Sequence, residues 1–346
     1  MKIGIITYHH TTNFGATLQA YALSKFLNDE GFNAEIIDYR PKKAVVTYLR
    51  ANYLNKQLLN NRKKVLKMNK FMEENISISK KRYSSNTHLS NVKYDLLITG
   101  SDEIWNIDSI RGFDKSYFLN FSNVPKLSYA ASVGSLNSFG EKAHEISNLL
   151  KEFLVILARD KNTINLLEKE CYTNSNLVLD PTFLISYPSA KKRIINSDYV
   201  LIYGELTQEE EEVIRESKNK FKIVSVGYFN KVADINFIDA DPFDFLSLIK
   251  HAVKVYTNFY HGVLFSLNFS KQFKFLVRDN KTNKVYDILD RFNIMYEDTN
   301  IKSEKEIDYS KVNQLVLDGK RRSIELLKKN IEKVEQNEKD TFRNSL

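Results

Sequence analysis

The chain has 346 residues, of which 42% are hydrophobic and 27% are charged, and these proportions are typical of folded proteins. They exclude a disordered or fibrous chain, and the length predicts two domains. The one cysteine excludes a disulfide framework and a cysteine-rich zinc site. The N-terminal apolar stretch is too short for a signal peptide, and no stretch is apolar enough to cross a membrane, so we expect a cytoplasmic protein.

The net charge of +8 is concentrated in one part of the sequence. Residues 41–82 carry twelve Lys and Arg but only two Glu, so the rest of the chain is about neutral. A basic segment of this kind attracts anionic lipid, nucleic acid or a diphosphate-linked substrate, although a solvated helix face has the same composition. The segment lacks the interleaved arginine and aromatic residues of single-strand binders, so we expect no nucleic-acid partner.

The first half of the sequence alternates predicted strands and helices. Apolar runs and helical spacing predict strands at 3–7, 34–39, 94–99, 127–132 and 177–179 and helices at 18–27, 53–72 and 141–153. This alternation indicates a parallel sheet. The strands end in small or acidic residues, at the sheet edge where open parallel sheets bind ligands.

A polar linker at 187–193 precedes a second series of the same kind. The same patterns predict strands at 199–203, 222–226, 252–256 and 273–277, helices at 208–217, 242–251 and 262–268, and a long helix from 310 to about 339. We therefore predict an α/β fold with an N-terminal domain at 1–186 that includes a basic helical segment at 41–82, a C-terminal domain at 194–305 and a C-terminal helix at 306–346.

Five short segments combine glycine, acidic, aromatic and histidine residues at the predicted strand ends. They are, in chain order, 13–23 (NFGATLQAYAL), 99–106 (TGSDEIWN), 128–134 (SYAASVG), 180–184 (DPTFL) and 260–266 (YHGVLFS). Together, and in this order, they resemble the polysaccharide pyruvyl transferases over roughly residues 1–300.

The resemblance implies two facing Rossmann-like domains, as in the GT-B glycosyltransferases, with the site in the cleft between them. It also implies transfer of a pyruvyl group from phosphoenolpyruvate to two hydroxyls of a sugar, which forms a cyclic ketal and releases phosphate. The acceptor would be a bacterial surface glycan or its lipid-linked precursor, and residues 41–82 would contact an anionic membrane at its inner face. Phosphoenolpyruvate is a substrate, and the chemistry requires no metal and no further cofactor.

Such a site needs cations for the carboxylate and phosphate of the donor, and an acid and a base for proton transfer. His261, between a predicted strand and a helix, matches the family and is the first candidate for proton transfer. Asp102 follows a strand end at Gly100 and Ser101, where it would contact the acceptor or take its proton, or would cap a helix. Arg159 resembles an arginine of the family and would clamp an anion, although a surface Arg-Asp pair is as plausible.

The other candidates for donor or acceptor contacts share these strand ends or flank His261. They are Asn13, Gly15, Gln19, Trp105, Ser132, Gly134, Asn258, Tyr260, Gly262 and Lys284. Ordinary turn chemistry would explain most of them equally well. Trp105 would either stack on a sugar ring or belong to the hydrophobic core. Gly262 would either allow close approach of the backbone to a phosphate or simply start a helix. Asp180 and Pro181 are expected to direct the chain out of the first domain.

Two positions depart from the family pattern. Asn258 stands where members commonly carry an aspartate, and Lys284 stands where they often carry an arginine. A lysine keeps the charge but loses the planar set of donors, which leaves the use of phosphoenolpyruvate open. Two other functions therefore stay in view, a GT-B-like glycosyltransferase that uses a nucleotide sugar and a non-catalytic protein that binds glycan or membrane.

Overall fold

The computed structural model describes residues 1–53, 58–278 and 282–343. The first lobe contains, in chain order, β1 Lys2–Ile6, α1 Phe14–Asp29, β2 Asn33–Tyr39, α2 Lys42–Tyr53, α3 Leu58–Asn75, β3 Ile78–Tyr83, α4 Asn86–Leu89, β4 Leu96–Asp102, β5 Lys126–Ala131, α5 Ala143–Leu150, β6 Val155–Ala158, α6 Lys161–Cys171 and β7 Asn176–Leu177. These strands form one sheet in the order β3-β2-β1-β4-β5-β6-β7, and each described pairing is parallel.

The second lobe repeats this plan with fewer strands. It contains β8 Tyr199–Tyr203, α7 Gln208–Arg215, β9 Lys222–Val226, β10 Ile235–Phe237, α8 Pro242–His251, β11 Lys254–Thr257, α9 Tyr260–Asn268, β12 Gln272–Phe275 and α10 Thr282–Arg291, and the long helix α11 Tyr309–Arg343 follows. Its sheet has the order β10-β9-β8-β11-β12, again with parallel pairings. The predicted α/β fold of two Rossmann-like lobes with a long C-terminal helix is confirmed.

Both sheets reverse their strand order at one place, between β1 and β4 in the first lobe and between β8 and β11 in the second. At such a reversal the two adjacent connections leave in opposite directions, which opens a crevice at the carboxyl ends of the strands. The central strands are buried along nearly their whole length, as their continuous apolar runs predict. The fold therefore forms two crevices, one in each lobe, at the position where open parallel sheets bind ligands.

The lobes share one apolar core. The ring of Phe14, the first residue of α1, stacks on Phe245 of α8 with centroids 4.7 Å apart and an interplanar angle of 13°. Helix α11 returns to the first lobe, where Ser323 accepts a hydrogen bond of 2.9 Å from the backbone N–H of Leu179. These contacts hold the two crevices facing each other.

The basic segment differs from its prediction in two ways. The helix predicted at 53–72 corresponds to α3, which extends to Asn75 and is preceded by the unpredicted helix α2, and residues 54–57 lie outside the described residues. Residues 78–83, placed in the basic helical segment, form the edge strand β3, which pairs with β2 through Ile36 and Tyr39. The exposed Lys80, Lys81 and Arg82 on β3 are charges of the kind that protect an edge strand from further pairing.

The linker predicted at 187–193 is anchored at its first residue, although Pro188, Lys192 and Arg193 are exposed. Tyr187 is buried, its hydroxyl donates a 2.9 Å hydrogen bond to the carbonyl of Thr182, and its ring contacts Phe265. Strands β6 and β10 and helices α6 and α10 were not predicted. Over the described residues, no helix has the length and apolar character that a membrane span requires.

Candidate active site between the lobes

The two crevices join in one cavity of about 880 Å³ between the lobes. This volume is within the range of about 300–1,000 Å³ that is usual for ligand pockets. The residues that line it include Tyr8, Asn13, Lys64, Asp102, Glu103 and Arg111 from the first lobe and Tyr203, Tyr228, Phe259, Tyr260, His261 and Lys284 from the second. The cavity thus collects residues that follow the central strands of both sheets.

His261 lies in the first turn of α9 and packs across the cleft against Gly15 of α1. A Cβ at position 15 would overlap the imidazole, so this contact requires glycine. The side chain is 8% exposed and lines the cavity. Its Nε2 lies 3.7 Å from Oδ2 of Asp180 and has no hydrogen-bond partner among the described residues.

Asp180 is a fully enclosed carboxylate that faces His261 from the first lobe. It accepts hydrogen bonds from Nη1 of Arg159 at 3.0 Å, from the N–H and hydroxyl of Thr182 at 3.0 and 2.9 Å, and from the hydroxyl of Ser101 at 3.3 Å. Burial alone would raise the pKa of Asp180, but the contacts with His261 and Arg159 outweigh it and hold the pKa well below its usual range. Asp180 therefore stays ionised beside the imidazole.

Sequence reasoning missed this role of Asp180. The aspartate that the resemblance places at position 258 would orient the imidazole, but this chain carries Asn258 there, and the carboxylate beside His261 is Asp180 of the first lobe. The available signal was the segment 180–184, which matches the family but was interpreted as a chain-directing turn. Pro181 and Thr182 do form such a turn, and the Thr182 hydrogen bonds orient the carboxylate.

Arg159 is buried behind this centre, at 1% exposure. Its Nη2 lies 3.7 Å from Oδ1 of Asp102, and its guanidinium lies 4.7 Å from the ring centroid of Tyr260. Burial would lower the pKa of Arg159. Tyr260 and the carboxylates of Asp180 and Asp102 raise this pKa by a larger amount, so the guanidinium stays charged. Arg159 therefore positions two carboxylates, instead of presenting an open clamp to a ligand as the sequence suggested.

Asp102 ends β4 with an unusual backbone. Ser101 and Asp102 have φ of 53° and 70°, the left-handed region that residues other than glycine seldom adopt. This turn directs the Asp102 side chain, 17% exposed, into the cavity, while the buried Ser101 bonds to Asp180. The strained strand end therefore presents a carboxylate to the cleft.

Lys284 reaches the cavity from α10 and forms an ion pair with Glu103. Burial would raise the pKa of Glu103, but the charge of Lys284 dominates and lowers it to about 2. The Lys284 ammonium also lies 5.4 Å from the ring centroid of Tyr260. In the unliganded cleft its charge is therefore neutralised.

Several predicted site residues have structural positions instead. Trp105 is fully buried, donates from Nε1 to the carbonyl of Tyr117 at 3.1 Å and stacks on Phe118, so it offers no face to a sugar. Gln19 is also fully buried, and its amide nitrogen donates to Thr7, to the carbonyl of Tyr8 and to that of Ala16. Both side chains therefore hold the walls of the crevice in place.

The remaining predicted residues also support the strand ends. Asn13 lines the cavity and caps α1 by accepting from the N–H of Ala16 at 3.2 Å. Ser132 donates to Asp160 at 2.6 Å, and Asn258 donates to the carbonyl of Glu205 at 2.8 Å. Of the other glycines, Gly100 packs against Leu23, Gly134 faces the Glu103 carboxylate and Gly262 packs against Thr257.

Two cations of the cavity were not singled out for the site. Lys64 was counted with the basic segment at 41–82, yet it is 9% exposed and lies on the inner stripe of α3 with Met68 and Met72. A lysine at helical spacing from two apolar residues was the signal for this position. Arg111, in the loop after β4, carried no such signal. Among the residues that the structure describes, no group of three or more His, Cys, Asp or Glu could hold a metal ion.

A comparison with protein-family models identifies the family to which the chain belongs. The model of the family described as polysaccharide pyruvyl transferase matches residues 13–280. The chain belongs to the polysaccharide pyruvyl transferase family. This match spans both lobes of the cleft and includes Gly15, Asp180 and His261.

Solved structures similar to this pyruvyl transferase family member are distant in sequence. A UDP-N-acetylglucosamine 2-epimerase from Rickettsia bellii is 10% identical with a TM-score of 0.46, and the match covers 97% of each chain. ADP-heptose lps heptosyltransferase II from E. coli is 10% identical with a TM-score of 0.39, and the match covers 92% of this chain and 99% of that one. No curated protein matches the chain significantly.

Proposed function

We propose that this family member transfers a pyruvyl group from phosphoenolpyruvate to two hydroxyls of a glycan acceptor, with formation of a ketal and release of phosphate. The observation that carries the proposal is the buried Asp180 carboxylate facing His261 in the cleft of a pyruvyl transferase family member. A carboxylate beside an imidazole orients the ring, and an imidazole is a common group for proton transfer.

In the proposed reaction His261 gives a proton to the methylene carbon of the donor while a sugar hydroxyl attacks the neighbouring carbon. Asp102, which lines the same cavity, accepts the proton of that hydroxyl. The second hydroxyl then attacks the same carbon and phosphate leaves. The proton of the first hydroxyl replaces the one that went to carbon, and the proton of the second leaves with the phosphate, so that the enzyme is regenerated.

The donor anion would bind beside this centre. Lys284 stands 5.4 Å from the Tyr260 ring and is held by Glu103, so the donor carboxylate or phosphate would replace Glu103 as its partner. The N-terminus of α1, capped by Asn13, faces the same cavity and adds a favourable dipole for an anion. These two features support a donor site next to His261.

The test is acceptor-dependent release of phosphate from phosphoenolpyruvate, with detection of the ketal on the glycan by mass spectrometry. His261→Gln should abolish product formation, and the matched control His144→Gln, on an exposed histidine of α5, should not. A wild-type protein that is stabilised by a nucleoside diphosphate but not by phosphoenolpyruvate would instead favour glycosyl transfer.

The acceptor is proposed to be a lipid-linked glycan, reached by peripheral contact with an anionic membrane. On α3 the exposed face carries Leu59 and Leu66, at 74% and 62% exposure, next to the exposed Arg62 and Lys63. Apolar side chains flanked by cations are typical of helices that lie on anionic lipid. Cosedimentation with phosphatidylglycerol vesicles should fall for Arg62→Gln/Lys63→Gln and persist for the control Arg321→Gln/Arg322→Gln.

A further inference from the structure

Among the described residues, Lys64, Arg111 and Lys284 line the cleft and Arg159 lies buried behind it, and these cations differ in how they are paired. Lys284 is neutralised by Glu103, and Arg159 is hydrogen-bonded to Asp180. Lys64 and Arg111 line the same cavity, and neither has a carboxylate within ion-pair distance in the part of the chain that the structure describes. The unneutralised positive charge of the cleft is therefore located at these two residues.

The ammonium of Lys64 is enclosed by aromatic rings rather than by acids. It lies 4.4 Å from the ring centroid of Phe14 on α1 and 5.9 Å from that of Tyr228 after β9. Burial lowers the pKa of Lys64 to about 8. The titratable group that faces it is Tyr228, and Glu205 and Arg111 border the same cavity. A buried charge without a partner costs stability, and such charges occur preferentially at binding sites.

Arg111 is held in a fixed orientation. Its guanidinium lies 3.4 Å from the ring centroid of Tyr8, and it donates a hydrogen bond to the hydroxyl of Tyr48. A stacked guanidinium keeps its other N–H donors in one plane, which suits phosphate oxygens. Arg111 is therefore prepared for an anion.

Part of the cavity wall beside Lys64 is aromatic. Tyr228 and Phe259 stack with centroids 5.3 Å apart and an interplanar angle of 23°, and both line the cavity. Ring faces of this kind suit the apolar face of a sugar. A cavity of about 880 Å³ is much larger than a three-carbon donor requires, and it therefore leaves room for a second substrate.

We propose that Lys64 and Arg111 form a second anion subsite, which holds the phosphate or diphosphate group that links the acceptor sugar to its carrier. This assignment rests on the proposed transferase function. The donor centre is built around His261, Asp102 and Lys284, whereas the second subsite is built from α3 and the loop after β4. A free glycan lacks the phosphate group that this subsite would hold.

Equilibrium binding of inorganic pyrophosphate to the full chain tests the subsite without turnover. Lys64→Met and Arg111→Gln should each weaken pyrophosphate binding by about tenfold or more, since one charge-assisted contact is worth that much. Binding of phosphoenolpyruvate should stay unchanged, and Lys64→Arg should retain pyrophosphate binding. The matched control is Lys169→Met, on an exposed lysine of α6.

Unchanged pyrophosphate binding in both variants would overturn the subsite. An equal loss of phosphoenolpyruvate binding would also overturn it, because the two cations would then hold the donor. Steady-state kinetics then separates the carriers, with a nucleoside-diphosphate sugar, a polyprenyl-diphosphate sugar and the free sugar as acceptors. In Lys64→Met the acceptor KM should rise for the diphosphate-linked sugars alone. Lys64-dependent pyrophosphate binding without any ketal formation would support the anion subsite and contradict the proposed function.

Discussion

The imidazole of His261, in the second lobe, rests directly on the backbone of Gly15, in the first turn of the first helix of the first lobe. On its other side the same ring faces Asp180, which also belongs to the first lobe. The proposed proton donor is thus positioned by the lobe opposite the one that carries it. Its geometry therefore depends on how the two lobes meet.

Gly15→Ala should lower kcat by about a hundredfold, because a displacement of roughly 1 Å at a reacting group has this effect. The new methyl group would overlap the imidazole and push His261 away from Asp180. Initial rates of phosphate release measure the loss. Gly319→Ala, in α11, is the matched control, since there the added carbon meets a Leu179 methyl at 3.1 Å and retains helical geometry. A Gly15→Ala enzyme with the wild-type kcat would contradict the contact.

Asp180→Asn should destabilise the fold by about 3–5 kcal/mol, because it leaves the buried Arg159 without its hydrogen-bonded charge partner. The low pKa of Asp180 stabilises the folded state above the unfolded value of about 4, and this stabilisation is lost as the pH falls below it. Urea unfolding should therefore show a steeper loss of stability below about pH 4 in the wild type than in the variant. Asp318→Asn, at an exposed position on α11, should cost less than about 0.5 kcal/mol.

Lys64→Met should make the unliganded protein more stable at pH 7, by up to roughly 3 kcal/mol. Burial lowers the pKa of Lys64 from its ordinary value of 10.5 to about 8, so the protonated side chain penalises the folded state. The penalty is complete below about pH 8 and disappears as the pH rises toward the unfolded value, so the two proteins should converge near pH 10. Denaturant midpoints between pH 6 and 10 measure the difference. A less stable Lys64→Met would indicate that the lysine serves packing alone.

Glu103→Gln should strengthen binding of phosphoenolpyruvate several-fold, because the donor would no longer compete with a carboxylate for Lys284. Glu103 has a pKa of about 2, so the competition persists throughout the neutral range. Isothermal titration calorimetry with the wild type, Glu103→Gln and the exposed-residue control Glu212→Gln would measure the change. Weaker donor binding in Glu103→Gln would mean that the carboxylate orients Lys284 for the donor instead.

The local sequence predicted those features of the fold that depend on a single strand or helix. Apolar runs located the central strands, with 199–203 and 222–226 matching β8 and β9 from end to end. The edge strand β3 was missed because its exposed lysines resemble those of a solvated helix, and its partner β2 is distant in the chain. Asp102 and His261 could be predicted to line a crevice, because residues that follow parallel strands gather at one edge of a sheet.

What the sequence determined by itself is the pair of parallel sheets and the strand ends from which the cleft is built, since periodicity and chain order are local properties. Only the tertiary structure decided that Asp180 rather than residue 258 faces His261, that Trp105 is core and that Lys64 points inward. Each of these outcomes depends on which surfaces of the two lobes meet. The free energy of a buried charge is set by neighbours distant in the chain, and no sequence window contains them.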